Sequence, residues 1–104
     1  MYSAGGLTIN FELRTVAKRG LEIRLSPKEF DVLALLARAN GAPLPHGEIL
    51  RKVWGFPYGG ELAYLRTYIR LLRAKLEDQP KRPQYVITEP WFGYRLLAPS
   101  DPAD

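Results

Sequence analysis

Four consecutive residues, Ser26-Pro27-Lys28-Glu29, constrain this chain more than any other local feature. A serine oxygen ahead of a helix can accept a first-turn backbone N–H, and proline at the first helical position lacks the N–H that would go unsatisfied there. A glutamate three residues after the serine can reach back to the serine N–H and close a capping box. The stretch therefore predicts a helix beginning at Pro27. Phe30, Val32, Leu33, Leu36 and Ala37 supply its apolar stripe, and Asn40-Gly41 supplies a left-handed stop.

That helix divides the chain. Before it, Leu7, Ile9, Phe11 and Leu13 alternate with polar residues, as do Leu21, Ile23 and Leu25 after a turn at Lys18-Arg19-Gly20, which predicts a small antiparallel sheet with one wet face. Beyond it, Pro43-Leu44-Pro45 leads to a short helix over Gly47 to Trp54 with Ile49, Leu50 and Val53 on its apolar side. The run from Gly55 to Gly60 breaks that helix. A longer helix is predicted from Glu61 to Asp78, with Leu65, Ile69, Leu72 and Leu76 on one narrow face. Opposite them lie Ala63, Thr67, Arg70, Leu71 and Ala74, with Tyr64 at one edge and Arg66 and Arg73 at the other. Tyr85 to Thr88 and Tyr94 to Leu97 read as a closing hairpin around Glu89-Pro90-Trp91-Phe92-Gly93, and residues 99–104 as a disordered polar tail.

Composition sets the limits on function. With 104 residues, 46% of them hydrophobic, the chain can bury one modest core and has no room for a second domain. It has no cysteine and one histidine, His46, so no disulfide, zinc or iron site is expected, and His46 is read as a helix-start residue. The carboxylates are scattered and no serine has a histidine and acid to activate it, so no catalysis and no cofactor are expected. No apolar run approaches the roughly 18 residues of a membrane span and no signal-peptide layout is present, which gives a cytoplasmic expectation. The net charge of +4 is uneven. Residues 46–75 hold six basic and two acidic groups, a local excess of the kind a phosphate-binding surface requires, whereas the flanking parts of the chain, at +2 and −2, cancel each other.

The elements run sheet, helix, helix, loop, basic helix and hairpin, an α+β order whose final five pieces are the layout of a winged helix-turn-helix. The residues themselves resemble a known family. Ser26-PKEFDVLALLARANGAPL, ILRKVWG at 49–55, IRLLRAKLE at 69–77, RPQYVIT at 82–88 and GYRL at 93–96 are similar to the effector domain of OmpR/PhoB-type response regulators, and the likeness runs from Leu7 to Leu97. Within that family, Tyr64-Leu65-Arg66, Tyr68 and Ile87-Thr88-Glu89 most resemble the regulators of potassium-uptake operons. The resemblance implies an N-terminal four-stranded antiparallel sheet, a three-helix core and a C-terminal hairpin wing, all within residues 1–98. It also implies a receiver domain that this chain does not contain, and binding as a tandem dimer to direct-repeat sites in double-stranded DNA by a domain that is a monomer in isolation.

Residue by residue, the resemblance places Arg70 and Arg73 at phosphate contacts, which suits their forked donors, with a solvated charged face as the rival reading. Arg66, on the helix's first turns, is open to a guanine edge or a phosphate. Thr67 is open to a thymine methyl or a backbone oxygen. Leu71 stands where other family members use a base-reading arginine, and is open to a thymine methyl or to a surface role. Tyr64 at the helix edge joins the same DNA-facing set. Trp54 and Tyr94 match donors to the sugar-phosphate backbone and are equally suited to a core with polar ends at its rim. Thr88 matches a wing residue near the minor groove, while Pro90 stands where the family often has a wing donor. Lys81 and Arg82 add backbone charge or form a solvated link. Phe56, Pro57 and Tyr58 match the loop that contacts RNA polymerase and can alternatively fold onto the core. Leu71 and Pro90 leave one rival from another class, a winged-helix interaction module that has lost DNA binding.

Overall fold

The computed structural model describes residues 1–55 and 61–97. The N-terminal sheet is four-stranded and antiparallel in the order β1 (Tyr2–Ala4), β2 (Leu7–Asn10), β3 (Thr15–Lys18) and β4 (Leu21–Ile23). Two of its turns are two-residue hairpins, Gly5-Gly6 with φ of 59° and 83° and Arg19-Gly20 with φ of 51° and 82°. Consecutive positive φ matches the right-handed twist of the paired strands. Leu7, Ile9 and Val16 point inward and are buried, while Thr8 is half-exposed.

The alternation continuing to Leu13 predicted a longer second strand, and the structure corrects this. The strand stops at Asn10, whose side-chain oxygen accepts the N–H groups of Glu12 and Leu13, each at 3.0 Å, and Leu13 is 72% exposed. Asparagine here offers the backbone a local turn that competes with the ladder. The inward set of β4 is also reduced, because Leu21 beside the turn is exposed and only Ile23 is half-buried.

Helix α1 (Pro27–Arg38) begins as its capping signal predicts: Glu29 N–H donates to Ser26 Oγ at 3.3 Å, and Ser26 N–H donates to Glu29 Oε1 at 2.8 Å. Beyond its end, Asn40 and Gly41 take φ of 53° and 90°. Strand β5 (Leu44–Pro45) leads directly into α2 (His46–Trp54), which ends at left-handed Gly55. Helix α3 spans Leu62–Leu76, and Leu65, Ile69, Leu72 and Leu76 are all buried against α1 and α2.

Helix α3 stops short of the predicted Asp78 because Glu77 turns extended and buries its carboxylate. That carboxylate accepts the N–H groups of Gln84 at 2.7 Å, Tyr85 at 3.0 Å and Val86 at 2.8 Å. A buried charge needs such partners, and here they bring the chain from the end of α3 into the hairpin. The hairpin consists of β6 (Val86–Glu89) and β7 (Gly93–Leu96), and β5 pairs with β7 to complete a three-stranded sheet in the order β5-β7-β6.

Candidate nucleic-acid interface

The outward side of α3 follows from its inward side. With Leu65, Ile69, Leu72 and Leu76 locked in the core, a 3.6-residue period forces Ala63, Arg66, Thr67, Arg70 and Ala74 to solvent, and all five are exposed. Small side chains leave the backbone approachable. Thr67 Oγ1 donates to the Ala63 carbonyl at 3.1 Å, so its methyl is the part left to face outward. Leu71 is half-buried, lower on the ridge than the helical wheel placed it.

The basic side chains of α3 divide into two kinds. Lys75 is spent on Glu29, at 2.7 Å. Arg73 is half-buried: its Nε and Nη2 donate to the Val86 carbonyl at 3.1 and 2.9 Å, and Nη2 donates to Thr88 Oγ1 at 2.7 Å. Its guanidinium carbon lies 5.8 Å from the centre of the Tyr94 ring. Burial pulls the Arg73 pKa down while Tyr94 and Glu77 oppose the shift, and the group remains a cation. Arg73 thus ties the helix to the wing and keeps its second terminal nitrogen for another acceptor. Arg66 and Arg70 are exposed and make no hydrogen bond or ion pair to any described residue.

The aromatic residues position the helix ends. Trp54, at the end of α2, lies 5.3 Å from Tyr64 and 5.0 Å from Tyr68 between ring centres, which fixes the first turns of α3 to α2. Tyr94 is only 5% exposed and meets His46 edge-on at 5.5 Å. Burial, and secondarily the Arg66 charge, lower the His46 pKa, so its imidazole is neutral at pH 7. An open groove runs between the start of α3 and the wing, lined by His46, Arg66, Thr88, Trp91 and Tyr94. Sequence reasoning left His46 and Trp91 out of this site. His46 carried no pattern to separate it from a helix start, whereas the aromatic Trp91 in a hairpin turn, with no apolar partner at strand spacing, was a signal that went unused.

Across the hairpin, Glu89 pairs with Arg95 at 2.8 Å, so the acidic group beside the groove is matched. Pro90 is exposed, and Lys81 and Arg82 are exposed in the link before the hairpin. The sequence-predicted residues Arg66, Thr67, Arg70, Thr88 and Tyr94 therefore lie on or around one surface formed by α3 and the wing. Trp54 and Tyr64 lie together at its α2 edge. Phe56, Pro57 and Tyr58, and the tail over 99–104, lie outside the described residues. No group of three His, Cys, Asp or Glu that can hold a metal occurs among the described residues, and no helix there is long and apolar enough to cross a membrane.

Comparison with known proteins gives the relatives of this chain. A family model for the C-terminal domain of transcriptional regulatory proteins matches residues 20–96. The transcriptional regulatory protein KdpE of Mycobacterium tuberculosis is 43% identical over 91 residues, which cover 88% of this chain and 40% of KdpE. RegX3 of Mycolicibacterium smegmatis, a sensory transduction protein, is 36% identical over 89% of the chain and 41% of its own length. The chain thus spans about two fifths of these relatives. Among solved structures, the DNA-binding domain of Klebsiella pneumoniae RstA in complex with the RstA box superposes with a TM-score of 0.83 at 32% identity, covering 90% of this chain and 93% of that one. The response regulator DrrB of Thermotoga maritima, an OmpR/PhoB homologue, gives a TM-score of 0.83 at 32% identity over 93% of this chain and 44% of its own.

Proposed function

The chain belongs to the OmpR/PhoB-type family of response-regulator effector domains, and we propose that it binds double-stranded DNA sequence-specifically as the output of a KdpE-like two-component regulator, acting at a potassium-uptake operon. The observation that carries this reading is the pairing of two exposed, unengaged arginines, Arg66 and Arg70, with the small residues Ala63, Thr67 and Ala74 on a helix whose opposite face is wholly buried. Such a helix can enter a major groove with its backbone close to the base edges, while its guanidiniums reach phosphates along one side. Arg70 and the outward nitrogen of Arg73 fix register. Thr67 faces the bases, Arg66 reaches a guanine edge or a phosphate, and the hairpin around Thr88 flanks the helix. The KdpE assignment rests on 43% identity, against 36% to RegX3 and 33% to MtrA of Mycolicibacterium smegmatis. The whole regulator would add a receiver domain, a tandem pair of effector domains on direct repeats, and a polymerase contact through Phe56, Pro57 and Tyr58.

Selection from a randomised duplex pool followed by footprinting tests the proposal. The expected result is enrichment of direct repeats spaced about one helical turn, roughly 10 base pairs, matching sequence upstream of a potassium-uptake operon. Enriched sites elsewhere would remove the KdpE assignment, and no enrichment would remove the function itself.

A further inference from the structure

The tip of the wing carries two costs, an exposed apolar side chain and a strained backbone. Trp91 is 101% exposed, and it sits at φ 65°, a left-handed conformation in which a bulky side chain is an outlier. Strain of this kind persists where the surroundings hold it, and it clusters at functional sites. The surroundings do hold it here: Phe92 N–H donates to the Glu89 carbonyl at 3.0 Å, and His46 N–H donates to the Phe92 carbonyl at 3.1 Å. The turn is therefore tied to the first residue of α2. Phe92 is also 46% exposed, so the tip is an apolar point on a basic surface.

We propose that Trp91 is the wing's contact with the minor groove, its indole lying against the sugar faces of the groove wall beside a major groove occupied by α3. The inference rests on the DNA-binding reading above. The occupant is argued from continuity. Trp91 lines the same groove as Arg66 and Thr88, so a duplex drawn onto the exposed arginines of α3 passes the wing tip, and minor-groove walls accept apolar side chains. The ring takes over where Pro90 leaves the wing without a side-chain donor. It contributes contact area rather than charge, which separates its effect from that of the arginines.

Acrylamide quenching of tryptophan emission, read with and without a selected duplex of about 20 base pairs, two helical turns, tests the contact. The chain has two tryptophans, and Trp91→Phe supplies the Trp54 signal to subtract. Trp91 should become shielded on a duplex carrying a single site. Trp91→Ala should weaken binding about tenfold, within the range an aromatic platform contributes, with an unchanged salt slope because no phosphate contact is lost. Trp91→Phe should restore most of the affinity, and Trp91→Ala should melt with the parent. Unshielded emission, or parental affinity in Trp91→Ala while Arg70→Ala is weakened, would overturn the proposal and leave the DNA reading standing. Shielding only on a two-site duplex would overturn it in favour of a contact with a second copy. Failure of the parent to bind any duplex would overturn both readings.

Discussion

Arg70 and Arg73 stand three residues apart on one helix, yet their surroundings predict different mutants. Arg70 makes no hydrogen bond or ion pair to any described residue, so Arg70→Ala should leave stability within about 0.5 kcal/mol, weaken binding to all sequences alike and lower the salt slope by about one. Arg73 holds Val86 and Thr88, so Arg73→Ala should also cost about 1–3 kcal/mol of stability, since its hydrogen bonds run from a half-buried charged group to the carbonyl of a buried residue. Thermal melting of the two variants checks this, and equal melting temperatures would contradict it. Glu29 gives a pH dependence. Burial pushes its pKa up, but the hydrogen bonds from Lys75 and from the Ser26 backbone outweigh that and hold it below 4.5. A depressed folded value means stability that is present above the unfolded value and is lost as the pH falls through the folded one. Glu29→Gln should therefore flatten the acid limb of the melting profile below pH 4.5 and cost about 1 kcal/mol at neutrality, modest because the partly exposed Lys75 is screened. An unchanged acid limb would place the sensitivity elsewhere.

The wing is the element whose placement depends on a single glycine. A Cβ at Gly93 would lie 1.8 Å from the Leu44 carbonyl oxygen, so the β5–β7 pairing exists only because that atom is missing. Gly93→Ala should separate the strands, release the wing from α2 and cost about 3 kcal/mol, the upper range for overpacking. Amide exchange at His46 and Leu44 should quicken in that variant, and parental protection there would refute the claim. The elements also differ in how much of each a sequence can carry. Both ends of α1 were legible because Ser26, Glu29, Asn40 and Gly41 act on backbone groups within a few residues. Strand β3 was not, since Val16 is its only strongly apolar residue and its pairing comes from β2 and β4. Strand β5 was illegible for the same reason, being two residues defined by a partner about fifty positions away. Helix α3 ended early because the Glu77 carboxylate finds its N–H donors seven to nine residues later, a return the helical period cannot encode.

At the scale of the molecule, two polar clamps hold the N-terminal sheet to the half that carries α3 and the wing. Lys18 Nζ donates to the Leu76 carbonyl at 2.5 Å and to Asp78 at 2.7 Å, and Tyr85 Oη donates to the Gly5 carbonyl at 2.5 Å. The sheet is thereby joined to both the end of α3 and the start of the wing. The surface was legible in outline from the arginine positions and the buried leucine series, because the helical period alone separates the faces. Its internal division was not: only the packed chain shows that Arg73 and Lys75 are engaged while Arg66 and Arg70 are free to meet a ligand. If this surface binds phosphates, a salt titration of duplex binding will show it. The association constant should fall linearly in log–log form with a slope of about −3 or steeper, as expected when several phosphates are neutralised. Negligible binding at low salt, or a flat dependence on salt, would contradict it.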